Sequence, residues 1–169
     1  MEKTQPRHDP LYPEAVRDAM GDTALEATGH GIKESSYSIL AFPAAQLPVC
    51  YQNFILAKWK RSLRHGNDYF KLIDVGSYYR AYDQYCSALL ARSGSVVRVA
   101  VISDAPDVAL GWSLIEGDIL HYVFVQADQR NRGIGRSLIP VKISWITHLT
   151  HSGMKIWNKH KEVRLDPFR

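Results

Sequence analysis

The sequence predicts an α/β fold: a mixed, mostly antiparallel sheet flanked by helices and preceded by an extended N-terminal arm. Three observations carry this. Two segments repeat apolar residues at helical spacing. Three consecutive segments then alternate with period two between short turns. A glycine-containing loop joins the third of these to a further helical segment. At 169 residues, 46% hydrophobic and 22% charged, the chain has globular composition for about one domain.

Residues 1–46 read as an extension. They carry Pro6, Pro10, Pro13 and Pro43, with EAVRDAM (Glu14–Met20) and DTALEAT (Asp22–Thr28) as short helical stretches. No apolar face there is long enough for a core. The arm holds 4 Lys/Arg against 7 Asp/Glu (−3), and residues 47–169 hold 17 against 10 (+7). The domain is therefore placed at 47–169. Its basic balance suits phosphate-bearing ligands, either nucleic acid or a phosphorylated cofactor.

In the first helix, from Pro48 to His65, Tyr51, Ile55, Trp59 and Leu63 share one face, with Gly66 as the C′ residue. Lys58, Lys60, Arg61 and Arg64 form the other face, either solvated or a nucleic-acid contact. The second helix spans Ser77–Arg92, capped by Ser77 and striped by Tyr78, Tyr82, Tyr85, Cys86, Leu89 and Leu90. Strands follow at Val96–Ser103, Val108–Ile115 and Ile119–Val125, an antiparallel meander. A helix from about Gly133 to His151 is expected next, then a short strand at Met154–Trp157 with an open edge. His148, His151 and His160 invite a metal reading, but three-apart histidines at a helix end usually cap or face water, and no metal site is assigned.

The chemistry concentrates in Val125–Leu138, VQADQRNRGIGRSL. A buried strand runs through a loop with Gly133 and Gly135 into a helix. Unpaired N–H groups at a helix start attract anions. Glycines let a phosphate approach the backbone, and Arg130, Arg132 and Arg136 add charge. The loop is neither a P-loop, which needs GxxxxGK[ST], nor a dinucleotide fingerprint, because Leu138 replaces the third glycine.

Arg130-Asn131-Arg132-Gly133-Ile134-Gly135 resembles the [R/Q]-x-x-G-x-[G/A] acyl-CoA loop of the GNAT superfamily of N-acetyltransferases, and the element order from Pro48 to Trp157 is similar too. The resemblance implies acetyl-CoA as cofactor and transfer of its acetyl group to an amine acceptor. It implies that Arg130, Asn131, Arg132, Gly133, Ile134, Gly135, Arg136 and Ser137 surround the pyrophosphate, and that Phe124 and Val125 offer backbone groups to the pantetheine arm. Many members place a glutamate eleven residues before the [R/Q] position, where Ile119 stands here. Others use a histidine nine residues before it, which is His121, an imidazole suited to proton removal. The alternative for His121 is a strand-edge residue bonded to a turn. Glu116 and Asp118 are turn carboxylates and weaker candidates for the base. Alternation places His121 with Val123 and Val125 unless a bulge intervenes.

The family's acid tyrosine has no counterpart in Asn158–Arg169, and two further strands do not fit there, so the resemblance is to a C-terminally truncated member. These departures leave an alternative function: a catalytically degenerate fold acting as a structural adaptor in a large assembly such as a phage virion. Residues 1–46 and the C-terminal edge would then contact a protein partner or a second copy. The N-terminus lacks a secretory h-region, no apolar run reaches the ~20 residues of a bilayer span, and Cys50 and Cys86 form no metal spacing. A cytoplasmic setting with reduced thiols, or incorporation in a virion, is expected.

Overall fold

The computed structural model describes residues 37–160 and 162–169. The helices expected at Glu14–Met20 and Asp22–Thr28 lie outside them. Six strands form one sheet in sequential order: β1 (Tyr37–Pro43), β2 (Ser95–Ile102), β3 (Ala105–Glu116), β4 (Ile119–Val125), β5 (Trp145–Ile146) and β6 (Arg164–Leu165). The first four are antiparallel, and β5 and β6 each run parallel to the preceding strand. The helices are α1 (Val49–His65), α2 (Asp68–Leu72), α3 (Val75–Leu90), α4 (Ile134–Ser137) and α5 (His151–Trp157).

The meander β2–β4 stands where period-two alternation placed it. Gly117, at φ 58, supplies the left-handed turn between β3 and β4. Helix α1 buries the predicted Tyr51, Ile55, Trp59 and Leu63 against the sheet. Trp59 packs against Trp112 of β3 and Tyr122 of β4, with ring centroids 5.3 and 5.6 Å away. Leu89 and Leu90 of α3 complete this cluster with Val97 and Val99. On the opposite face, Ile134 and Leu138 pack with Ala100 and Leu110.

Several expectations are corrected. Residues 37–46 belong to the fold: β1 pairs with β2 over its whole length, and Ala44–Gln46 form one 3-10 turn. Leu40 and Phe42 join one core cluster, and Tyr37 and Ile39 the other. Helix α3 starts earlier, at Val75. Its cap is Asp74, whose carboxylate accepts from the Ser77 N–H at 2.9 Å. That bond holds the Asp74 carboxyl below the usual range.

The long helix expected from Gly133 to His151 is a single turn. Pro140 lacks an N–H, and its ring would clash with the carbonyl four residues back. The chain leaves the helix at Leu138 and returns as β5. The Ser144 and Trp145 N–H groups donate to Asp118 O at 2.9 and 3.3 Å. Met154–Trp157, expected as a strand, lies in α5, capped by Thr150, whose hydroxyl accepts from the Gly153 N–H at 3.2 Å. Within Asn158–Arg169 a single two-residue strand forms, β6, whereas β5 lies upstream of that segment. Trp157 is half-buried and donates to Val163 O at 2.7 Å.

Two glycines mark close approaches. A Cβ on Gly111 would sit 2.6 Å from Phe124 O and 3.3 Å from Leu138 Cδ1. Gly66, expected in a left-handed cap, has φ −86; a Cβ there would lie 2.9 Å from Thr150 Cβ. Its carbonyl accepts from the His151 N–H at 2.8 Å, tying α5 to the end of α1. Gly111→Ala is expected to cost about 1–3 kcal/mol by overpacking. Chemical denaturation would register it as a lower midpoint with unchanged slope. Trp59→Ala should cost about 3–5 kcal/mol in the same measurement.

Candidate active site

Strand β4 runs directly into the glycine loop. After the Gln126 N–H donates to Leu110 O at 2.9 Å, Ala127–Gln129 form one 3-10 turn. Asn131 and Gly133 then take left-handed conformations, φ 64 and 81. Gly133 caps α4, its carbonyl accepting from the Arg136 and Ser137 N–H groups at 2.9 and 3.1 Å. At that φ a side chain is strained, costing about 1–2 kcal/mol. A Cβ on Gly133 would meet nothing within 4 Å, so open space borders the loop there.

The structure gathers Arg130 through Ser137 around this turn. All three guanidiniums are exposed. Arg130 donates through Nε to Val125 O at 3.2 Å, and Arg132 through Nη1 to Gln129 Oε1 at 3.2 Å. None has an acidic partner among the described residues. The Ser137 hydroxyl bonds Tyr37 OH at 2.9 Å, anchoring α4 to β1. From below, the Ser113 hydroxyl donates to Leu138 O at 2.7 Å.

The outer edge of β4 is the second component. Strand β5 pairs with β4 only at Ile119 and Leu120. Among the described residues, no strand covers that edge from His121 to Val125, Phe124 included. Strand β5 ends at Ile146, and beside the two strands lies a cleft of about 320 Å³ lined chiefly by aliphatic side chains of β4, β5, the α4–β5 loop and α5.

His121 occupies a β-bulge. Leu114 pairs with Tyr122 but Ile115 with Leu120, so His121 is the extra residue. The bulge turns it away from the side that alternation assigned, and towards Glu116. Its Nε2 lies 3.2 Å from Glu116 Oε2, which also accepts from Arg92 Nη1 at 2.8 Å. His121 is fully buried, and its Nδ1 lies 3.4 Å from Thr147 Oγ1. Burial lowers its pKa, with Glu116 opposing. The Arg92 guanidinium holds the Glu116 carboxyl below its ordinary range. Asp118 serves through its carbonyl, as the anchor of β5.

Sequence reasoning passed over Thr147, and set His148 beside His151 and His160. The three histidines have separate partners. His148 Nδ1 lies 2.9 Å from Thr147 Oγ1, His151 Nε2 3.2 Å from Asp68, and His160 Nδ1 3.2 Å from Glu162. His148 lines the cleft, and Tyr82 and Tyr85 of α3 set their rings against it at 6.1 and 5.2 Å. Burial and the nearby His121 push its pKa down to about 4. The tyrosine stripe thus packs partly against this histidine. No sequence signal marked it, because its neighbours come from α3 and β4.

The basic face of α1 is partly consumed by structure. Lys60 pairs with Asp83, and Arg64 donates to Phe70 O and Ile73 O at 2.7 and 3.0 Å.

No protein-family model and no curated protein matches the sequence. Among solved structures, the GCN5-related N-acetyltransferase from Ralstonia eutropha JMP134 superposes with TM-score 0.51 at 13% identity, covering 74% of this chain and 91% of that one. Apo-form YjaB from Escherichia coli matches at TM-score 0.42 and 22% identity, over 62% of each chain. AAC(6′)-Iy in complex with a CoA-S-monomethyl-acetylneamine bisubstrate analogue matches at TM-score 0.34 and 14% identity, over 78% of each. The chain has the GNAT acetyltransferase fold. Among the described residues, no helix is long and apolar enough to cross a membrane.

The histidine pair makes stability depend on pH. An unfolded histidine takes a proton near pH 6.5, whereas folded His148 resists until about pH 4. Between those values the unfolded chain binds more protons, so stability falls as pH drops through the window, by at most about 1.4 kcal/mol per pH unit for one histidine. Thermal unfolding followed by circular dichroism should show the decline, with a shallower slope in His148→Gln.

Proposed function

We propose that this protein is an N-acetyltransferase that moves an acetyl group from acetyl-CoA to an amine. The observation that carries this is a strand edge that leads straight into a glycine- and arginine-bearing loop. Among the described residues, a β4 edge that no strand pairs beyond Leu120 runs into a loop turned by Gly133 and flanked by three guanidiniums without acidic partners. The residues present fit a pyrophosphate-bearing thioester: there is open space beside Gly133, and among the described residues Arg136 has no acidic partner to compete with a phosphate.

In this reading the loop N–H groups from Arg130 to Ser137 hold the phosphates, with Arg130, Arg132 and Arg136 around them. The backbone at Phe124 and Val125 pairs with the amide-bearing arm as a strand would. Acetyl-CoA supplies an acetyl group activated as a thioester. The chain's own task is to position the acceptor and take up its proton, and His121 and Glu116 lie behind the cleft where this happens. His121, being enclosed, acts there through Thr147 and His148 rather than by touching the acceptor.

Isothermal titration with acetyl-CoA should give saturable heat at sub-millimolar concentration, and its absence would overturn the proposal. Arg132→Ala should weaken binding by roughly 10–100-fold, as expected for a lost charge-assisted hydrogen bond. Gly135→Trp should abolish it. The new ring would extend over Val125, whose Cγ2 a Cβ at this position already meets at 3.7 Å. If the enzyme is active, His121→Ala should lower turnover by roughly 10²–10⁴-fold while leaving acetyl-CoA affinity unchanged.

A further inference from the structure

Successive residues of a strand face opposite sides of the sheet. On β2, Val97, Val99 and Val101 lie in the aromatic core, so Val96, Arg98 and Ala100 face the other side. Their partners on β1 are Pro43, Ala41 and Ile39. Helix α4 covers only one end of this side. Ile134 and Leu138 pack with Ala100, and Tyr37 and Ile39 join them. Further along, the cover stops. Ala41 and Pro43 are exposed and Val96 is 38% exposed, whereas Val97 and Val99 are fully buried. Because α4 ends at Ser137 after one turn, it does not reach this strip.

Arg98 stands in the strip. It is half-buried, and its Nε is enclosed without a hydrogen-bond partner among the described residues. No described carboxylate pairs with it, and burial lowers its pKa. A partly buried cation without a counter-charge is costly. Three apolar residues around an unpaired guanidinium suit an apolar segment that carries carboxylates.

The chain contains such a segment. Residues 37–46 carry no charge, so the 7 Asp/Glu and 4 Lys/Arg of the arm all precede Tyr37. Tyr37 packs in the cluster on this same side of the sheet, so the chain before it arrives there. Asp22–Thr28 (DTALEAT) has two carboxylates and no cation, whereas Arg17 interrupts Glu14–Met20. At helical spacing Asp22, Leu25 and Glu26 share one face. Tyr37 comes nine residues after Thr28, a link that spans up to about 30 Å. Ala41 lies only about 14 Å along β1 from Tyr37. The segment therefore reaches back over the strip, and Gly29 and Gly31 in the link suit a reversal.

We infer that Asp22–Thr28 docks on the side of β1 and β2 that α4 leaves bare, with Leu25 against Val96 and Ala41, and Glu26 paired with Arg98. Docked there, the arm supplies the cover and the counter-charge that the described residues lack.

Methyl NMR of the full, unmodified chain tests the contact directly. Nuclear Overhauser effects should join the Leu25 and Val96 methyl groups, and their absence would overturn the inference. In a mixture of labelled and unlabelled protein the same effects should stay within one chain; effects only between copies would assign the strip to a second molecule and overturn it too. Glu26→Arg and Arg98→Glu should each lower the chemical-denaturation midpoint, and the double variant should recover at least half of the summed loss. Losses that simply add would overturn the pairing, as would an equal recovery from Glu14→Arg with Arg98→Glu. Val96→Lys should lower the midpoint and leave the sedimentation velocity at micromolar concentration unchanged. A dimer that Val96→Lys dissociates would give the strip to a second copy and defeat the docking of the arm.

Discussion

Strand β4 is held by β3 along its whole length and by β5 at two residues only. The rest of the site depends on that unequal pairing. Backbone N–H and C=O groups that lose a strand partner must find another. An edge of this kind usually attracts a neighbouring strand. Here the surrounding chain keeps it clear. Pro140 stops α4 after one turn, and the Asp118 carbonyl catches Ser144 and Trp145 so that β5 docks at the beginning of β4. The chain then departs into α5, which Gly66 and Thr150 tie to the end of α1. Between these anchors lies the cleft.

The second constraint is the polar row crossing an aromatic wall. Trp59, Trp112 and Tyr122 form the centre of the core, and Tyr82 and Tyr85 extend it to His148. Polar groups in such surroundings are costly unless they are bonded. The β-bulge meets this demand by turning His121 towards Glu116, and Thr147 serves both the His121 carbonyl and the His148 ring. Low polarity around the row lowers the pKa of both imidazoles, because desolvation disfavours the cation.

The positive charge divides in the same economical way. On α1, Lys60 and Arg64 are used internally, one against Asp83 and the other on carbonyls and over the Tyr78 ring at 5.1 Å. In the loop, Arg130, Arg132 and Arg136 are exposed and lack acidic partners among the described residues. The basic excess of the body is thus uneven in function. Where the cations are paired they hold helices together, and in the loop they leave a concentration of positive charge.

The sequence by itself determined the elements whose signal is local. The stripe Tyr51–Ile55–Trp59–Leu63, the alternation of β2 to β4 and the glycine–arginine loop are each written in consecutive residues, and each lies where periodicity put it. Strand β1 left a weaker trace, a short apolar run ending at Pro43, because one buried residue in seven gives little pattern. Strands β5 and β6 left none. Two residues have no period, and their existence depends on hydrogen bonds to Leu120 and Asp118 and then to Ser144 and Ile146. Pro140 was visible, but where its break would end the helix was not. The left-handed Gly133 could be anticipated from its type, whereas Gly111 and Gly66 could not, since the atoms they make room for come from β4, α4 and Thr150. The site divides in the same way. The glycine–arginine loop is one continuous segment, so its residues could be read together from the sequence. The polar row joins Glu116, His121, Thr147 and His148 through a bulge and a two-residue strand, and only tertiary pairing brings those four together.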